Sequence, residues 1–144
     1  MWQQLFGLTN AIALVAWGLL ILGPRRFLPW VRYAGAGLLC AIYVALVATA
    51  LAGGFGPRDG PAVDFTTIEG VRAIFASDGG VVAGWTHYLA LDLFAGAWIA
   101  EQADQRGFGR LVQAPILLIT FLAGPVGLLL WFPTSSISAG RRSS

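Results

Sequence analysis

Four long apolar runs separated by polar stretches organise the chain, at about 5–22, 31–52, 81–100 and 111–132. Each approaches the ~20 residues an α-helix needs to cross a bilayer at ~1.5 Å per residue. The pattern predicts an all-α membrane protein. Its single domain, residues 1–132, has four transmembrane helices plus one short interfacial amphipathic helix. A polar tail, 133–144, is expected to be disordered.

The first run starts beside Met1, with no basic segment and no small-residue cleavage site before Pro24-Arg25-Arg26. It reads as a retained helix rather than a signal peptide. Trp2 suits an interfacial anchor, and Thr9 and Asn10 supply polar atoms within the run. Gly23 to Pro29 reads as a loop. In the second run Gly37, Ala41, Ala45 and Ala48 form a small-residue stripe of the kind that packs helices together. Cys40, off that stripe, reads as a buried apolar-like residue.

Gly53 to Gly80 is the longest polar stretch. Gly53 to Pro61 has the composition of an irregular loop. Thr66-Thr67-Ile68-Glu69 has capping-box spacing and opens a short helix at about 67–76. Ile68, Val71, Ile74 and Phe75 form its apolar side, and it is too short to span, so it should lie at the interface. Asp78 is placed to cap the next helix. In the last run Pro115 falls in the first turn, where proline is tolerated. Gly124-Pro125-Val126-Gly127 should kink the helix. Such breaks persist in membranes where neighbours or a cavity satisfy the freed backbone groups.

The third run carries the chemistry. It holds His87, the chain's one histidine, and Asp92, the one acidic residue deep inside an apolar run. Ionisable groups at that depth are costly to bury and commonly functional. Gly84, Tyr88, Asp92, Gly96 and Ala100 share a helical stripe, which turns Asp92 toward the bundle interior. His87 lies about 140° away at ~100° per residue, on a side with Leu91, Phe94 and Trp98. Two polar groups so placed need a helix enclosed on two sides, or a local π-bulge or kink that brings them together. The plainer alternative is that each bonds another helix and only holds the bundle.

Composition agrees and narrows the chemistry. Of 144 residues 57% are hydrophobic and 11% charged, with a mean hydropathy of +0.73, too apolar for a soluble domain. All nine basic residues are arginine and the net charge is only +2, with no basic stripe for nucleic acid. One cysteine and one histidine cannot build an internal disulfide or a histidine or cysteine metal cluster. The expected chemistry uses no metal and no redox cofactor. Five arginines in the first and third loops against four elsewhere place those loops on the cytoplasmic side, with both termini opposite.

Thr67-Ile68-Glu69-Gly70-Val71-Arg72-Ala73-Ile74-Phe75, Gly84-Trp85-Thr86-His87-Tyr88-Leu89-Ala90-Leu91-Asp92-Leu93-Phe94 and Gly124-Pro125-Val126-Gly127 carry a resemblance. Together they resemble the abscisic-acid-deficient-4-like family, the neoxanthin-synthase-like membrane proteins of plants and their bacterial relatives. The Trp-x-His…Asp-Leu-Phe string is the specific part. The chain departs from the family pattern at Arg110, where relatives often have histidine, and at Thr86 and Leu91, which replace bulkier apolar residues.

The resemblance implies a carotenoid or other isoprenoid lipid ligand. It also implies an isomerisation in which an epoxide opens with protonation of oxygen while a neighbouring polyene carbon loses a proton. His87 as base and Asp92 as acid, both neutral in apolar surroundings, are the candidate catalytic pair. Glu69 reads first as a helix cap, with a second acid near the site as its alternative role. Trp85, Tyr88, Phe94, Trp98 and Asn10 are candidates to line a polyene groove; core packing is the plainer role for the aromatics. The alternatives are a non-catalytic pigment-binding or assembly subunit, and a small proton- or ion-coupled carrier. The expected location is the bacterial cytoplasmic membrane, multi-pass, with the bilayer and an isoprenoid as partners, no nucleic acid, and a homo-oligomer as an option.

Overall fold

The computed structural model describes residues 1–55 and 63–140, with side chains through 136. The expected loop residues 56–61 lie outside the described residues. Among those described the chain is helical, with no strand. We label the helices α1 (Trp2–Leu22), α2 (Arg25–Leu51), α3 (Ile68–Ile74), α4 (Asp78–Gln105), α5 (Arg110–Leu122) and α6 (Gly124–Gly140). By length and composition α1 and α2 are apolar enough to cross a membrane. At 28 residues α4 has the length, roughly 42 Å, with His87 and Asp92 interrupting its apolar character.

The loop expected over Gly23 to Pro29 is shorter. Helix resumes at Arg25 with a 3₁₀ turn, and Pro29 falls early, where its missing N–H costs little. A π-helical turn, Val31–Ala36, follows. It places Gly35 against α1 and α4: a β-carbon there would stand 3.0 Å from Ala16 Cβ and 3.2 Å from Leu93 Cδ2. The Gly37, Ala41, Ala45 and Ala48 stripe is not the packing face expected. All four are exposed, as is Cys40, and Gly35, Ala36, Leu39 and Leu46 face inward instead.

α4 is the central helix, buried from Gly79 to Ala103 along one side. Its Gly96 receives the Trp17 ring of α1, and its Gly84 receives the Phe75 ring from beyond α3. Ser77 caps α4 by accepting from Gly80 N–H at 3.1 Å, with Asp78 in the first turn. The α3 cap is Thr67, accepting from Gly70 N–H at 3.1 Å, one residue beyond the expected Thr66. The Thr66 hydroxyl donates to Asp64 at 2.7 Å instead. Ile68 and Val71 remain exposed, an apolar face turned out of the bundle, while Phe75 is half-exposed with its ring against Gly84.

The last apolar run does not continue as one kinked helix. It breaks at Ala123, whose φ of −157° and ψ of 85° are non-helical, and the chain turns back. Gly127 packs against Thr120 across the turn so closely that a β-carbon would collide with the hydroxyl. Trp131 returns to the start of α5, edge-on to Phe108 with centroids 5.6 Å apart. The Arg106 guanidinium lies 5.7 Å from its ring centroid. α5 and α6 therefore form a helical hairpin. Pro125 sits in the first turn of α6, where a free N–H is not needed. The helix runs past Phe132 to Gly140, so residues 133–140 of the expected tail are helical. The middle of α6, at Trp131, thus lies beside the third loop rather than at the opposite end of the fold.

A polar clamp closes that end of the bundle. Arg25 Nε pairs with Asp104 Oδ2 at 2.6 Å, and its other nitrogens reach Gln113 Oε1 and, at 3.0 Å, the Leu20 carbonyl. Buried Gln113 donates to Asp104 Oδ1 at 2.8 Å and to the Phe108 carbonyl at 2.7 Å. Arg32 pairs with Glu101, and Arg110 caps carbonyls of Ile21 and Gly23 at the end of α1. The first and third loops thus share one end of the fold.

Candidate functional site

The hairpin tip meets α4 at Asp92, halfway along that helix. Asp92 is buried, 9% exposed. Gly124 lies against its carboxyl with no room for a side chain. At the first position of α6, the Gly124 N–H is one that a helix leaves unpaired. The positive end of the helix favours a carboxyl oxygen there. The Tyr88 hydroxyl, one turn earlier on α4, also turns toward this group. Even so, Asp92 Oδ2 is buried and makes no hydrogen bond of good geometry.

Tyr88 links the carboxyl to an aromatic cleft of about 320 Å³, lined by Phe6, Phe75, Val81, Gly84, Trp85 and Tyr88. Trp85 and Tyr88 stack with centroids 5.8 Å apart, and Phe6 lies 6.0 Å from Trp85. Trp85 Nε1 donates to Asn10 Oδ1 at 3.1 Å, and Asn10 Nδ2 donates to the Phe6 carbonyl at 2.7 Å. Asn10 thus fixes the indole from α1. The glycine at 84 lets Phe75 close one end of the cleft.

Of the residues singled out in the sequence, Asn10, Trp85, Tyr88 and Asp92 come together. His87 is exposed on another side of α4, edge-on to Tyr43 of α2 with centroids 5.0 Å apart. α4 is uninterrupted α-helix, so no bulge turns His87 toward Asp92. Phe94 is exposed, and Trp98 packs half-buried on the main core. Glu69 is exposed and has no hydrogen-bond or ion-pair partner among the described residues. Phe6 and Phe75 do not follow from the spacing within α4; they come from α1 and from the short link between α3 and α4. Among the described residues no three His, Cys, Asp or Glu side chains gather as metal ligands.

The profile of the ABA DEFICIENT 4-like family matches residues 4–131. The chain belongs to that family. The match takes in every element of the site, from Asn10 on α1 through α4 to the hairpin tip and Trp131. No curated protein and no solved structure matches the chain.

Proposed function

We propose that this family member is a multi-pass membrane protein that binds the end group of a carotenoid or other isoprenoid lipid. Asp92 transfers the protons of an isomerisation. The observation that carries the reading is the buried Asp92 carboxyl, with an unpaired oxygen, at the hairpin tip, joined through Tyr88 to an aromatic cleft that Tyr88 lines. Leu14, Val44, Leu118 and Leu129, on four different helices, are exposed large apolar side chains, which suits a lipid surround. Breaking helical backbone at membrane depth is tolerated where protein buries it, and Gly124, just past the break, is buried.

The chemistry balances with one carboxyl. Protonated Asp92 gives its proton to an epoxide oxygen as the carbon–oxygen bond breaks. The carboxylate so formed takes a proton from the adjacent polyene carbon. The C–H electron pair becomes the new double bond, an alcohol and an allene result, and Asp92 is again protonated. The Tyr88 hydroxyl orients the carboxyl, and Trp85 and Phe6 give flat surfaces for a ring or polyene. His87 joins as base only where a ligand passes round α4 to reach both faces.

One observation favours a second reading. Two half-helices meeting at a buried carboxyl is also the arrangement of a proton-coupled carrier. Product analysis in a host that accumulates an epoxy-carotenoid separates the readings. An enzyme yields an isomer of unchanged mass. A binder co-purifies with unchanged pigment and its three-peaked spectrum. A carrier does neither.

A further inference from the structure

A second concavity lies on the other side of α1. It is an open groove of about 560 Å³ between α1 and α2, with walls that include Ala11, Val15, Leu19, Phe27, Trp30 and Ala34. From Ala11 to Leu19 it runs roughly 12 Å along α1. It is separate from the aromatic cleft, sharing no lining residue with it. At the loop end Phe27 forms part of the wall, and the Arg26 guanidinium lies over that ring, 5.1 Å from its centroid.

The neighbouring arginines are committed. Arg25 is held by Asp104, Arg32 by Glu101, Arg106 by Gln102, and Arg110 by carbonyls of α1. Arg26 is exposed and has no ion-pair or hydrogen-bond partner among the described residues. A cation at the mouth of an apolar slot calls for a ligand with an apolar chain and an anionic head. Arginine's planar donors match a phosphate. Trp30, exposed at the same end, supplies an indole of the kind that sits at headgroup level. A second copy of the chain fits less well. The carboxylates at this end, Glu101 and Asp104, are already paired.

We infer that this groove is a binding site for an anionic phospholipid, with one acyl chain along α1 and α2 and the phosphate on Arg26. The inference rests on the membrane reading above and does not depend on catalysis.

The test uses the full chain in vesicles of phosphatidylcholine containing a fraction of brominated phosphatidylglycerol or brominated phosphatidylcholine. Bromine quenches nearby tryptophan, and Trp30→Phe identifies the Trp30 share of the signal. Expected is an affinity for phosphatidylglycerol about fivefold above phosphatidylcholine at the Trp30 site, the scale of one basic residue at a lipid surface. Arg26→Gln should remove the preference. Ala34→Phe, from an exposed position, should reduce quenching by filling the groove. Millimolar inorganic phosphate should not compete. Equal quenching by both lipids, or a preference that survives both substitutions, overturns the lipid site. Full competition by inorganic phosphate makes it a free-anion site and overturns it too. Quenching of no tryptophan by either lipid would overturn the membrane reading itself.

Discussion

Gly124 stands so close to the Asp92 carboxyl that a β-carbon on it would overlap the carboxyl group. This contact joins the middle of α4 to the tip of the α5–α6 hairpin. Gly124→Ala is expected to cost about 1–3 kcal/mol, as overpacking does at a tight site. Asp92→Ala removes the obstacle, so the double variant should recover part of that loss. Thermal unfolding of the four proteins of this cycle in one detergent reads the coupling. Strict additivity would mean that the two residues do not share the contact.

The hairpin makes a topological prediction. In a Cys40→Ser background, cysteines placed at Gln105 and Ser136 should label from the same side of the membrane, and one at Gln3 from the other. The basis is Trp131 returning to Phe108 and Arg106. Labelling of the Ser136 position together with the Gln3 position would mean that the last run crosses.

Much of this arrangement is legible in the sequence, and its limits have physical causes. Apolar runs of helical length give the helices, and Asp92's stripe of glycines gives its inward face. The helical angle between His87 and Asp92 already separates them, and Tyr43 on one side and Gly124 on the other complete that separation. The direction taken after Ala123 is not local. Gly124-Pro125 specifies a break, but contacts made after the break, Gly127 on Thr120 and Trp131 on Phe108, turn the chain back. Outward and inward faces of α2 are also hard to tell apart. In a chain this apolar, Leu38 and Leu39 are identical in hydropathy, although one is exposed and the other buried. The aromatic cleft needs Phe6 and Phe75, which no spacing within α4 can reveal.

The clamp at the loop end should hold the base of the hairpin. Gln113 is buried and bonds Arg25, Asp104 and the Phe108 carbonyl. Gln113→Leu leaves those partners short of a bond, at a cost of about 1–3 kcal/mol. Thermal unfolding in detergent should show the loss, and protease should cut the third loop faster. An unchanged melting temperature would contradict a structural role for the clamp.

The entry to α3 should respond to acid. The Thr66 N–H and hydroxyl donate to Asp64 and hold its carboxyl below the ordinary value of 3.8. A lowered value in the folded chain stabilises this turn at higher pH. That contribution fades as pH falls below about 4 and through the folded value. The Thr66 amide resonance should titrate in that window, and Asp64→Asn should abolish the titration. A Thr66 amide that is flat across the window would contradict the turn.

The central claim is that the Asp92 carboxyl moves protons to and from a bound isoprenoid. Its most direct measurement is the isomer-to-substrate ratio in an epoxy-carotenoid-accumulating host expressing the parent chain, Asp92→Asn or Tyr88→Phe at matched membrane levels. Asn keeps the shape beside Gly124 and removes the transferable proton. The account predicts no isomer from Asp92→Asn with pigment still bound, and a reduced but measurable yield from Tyr88→Phe. Isomer formed by Asp92→Asn at the parent rate would contradict it.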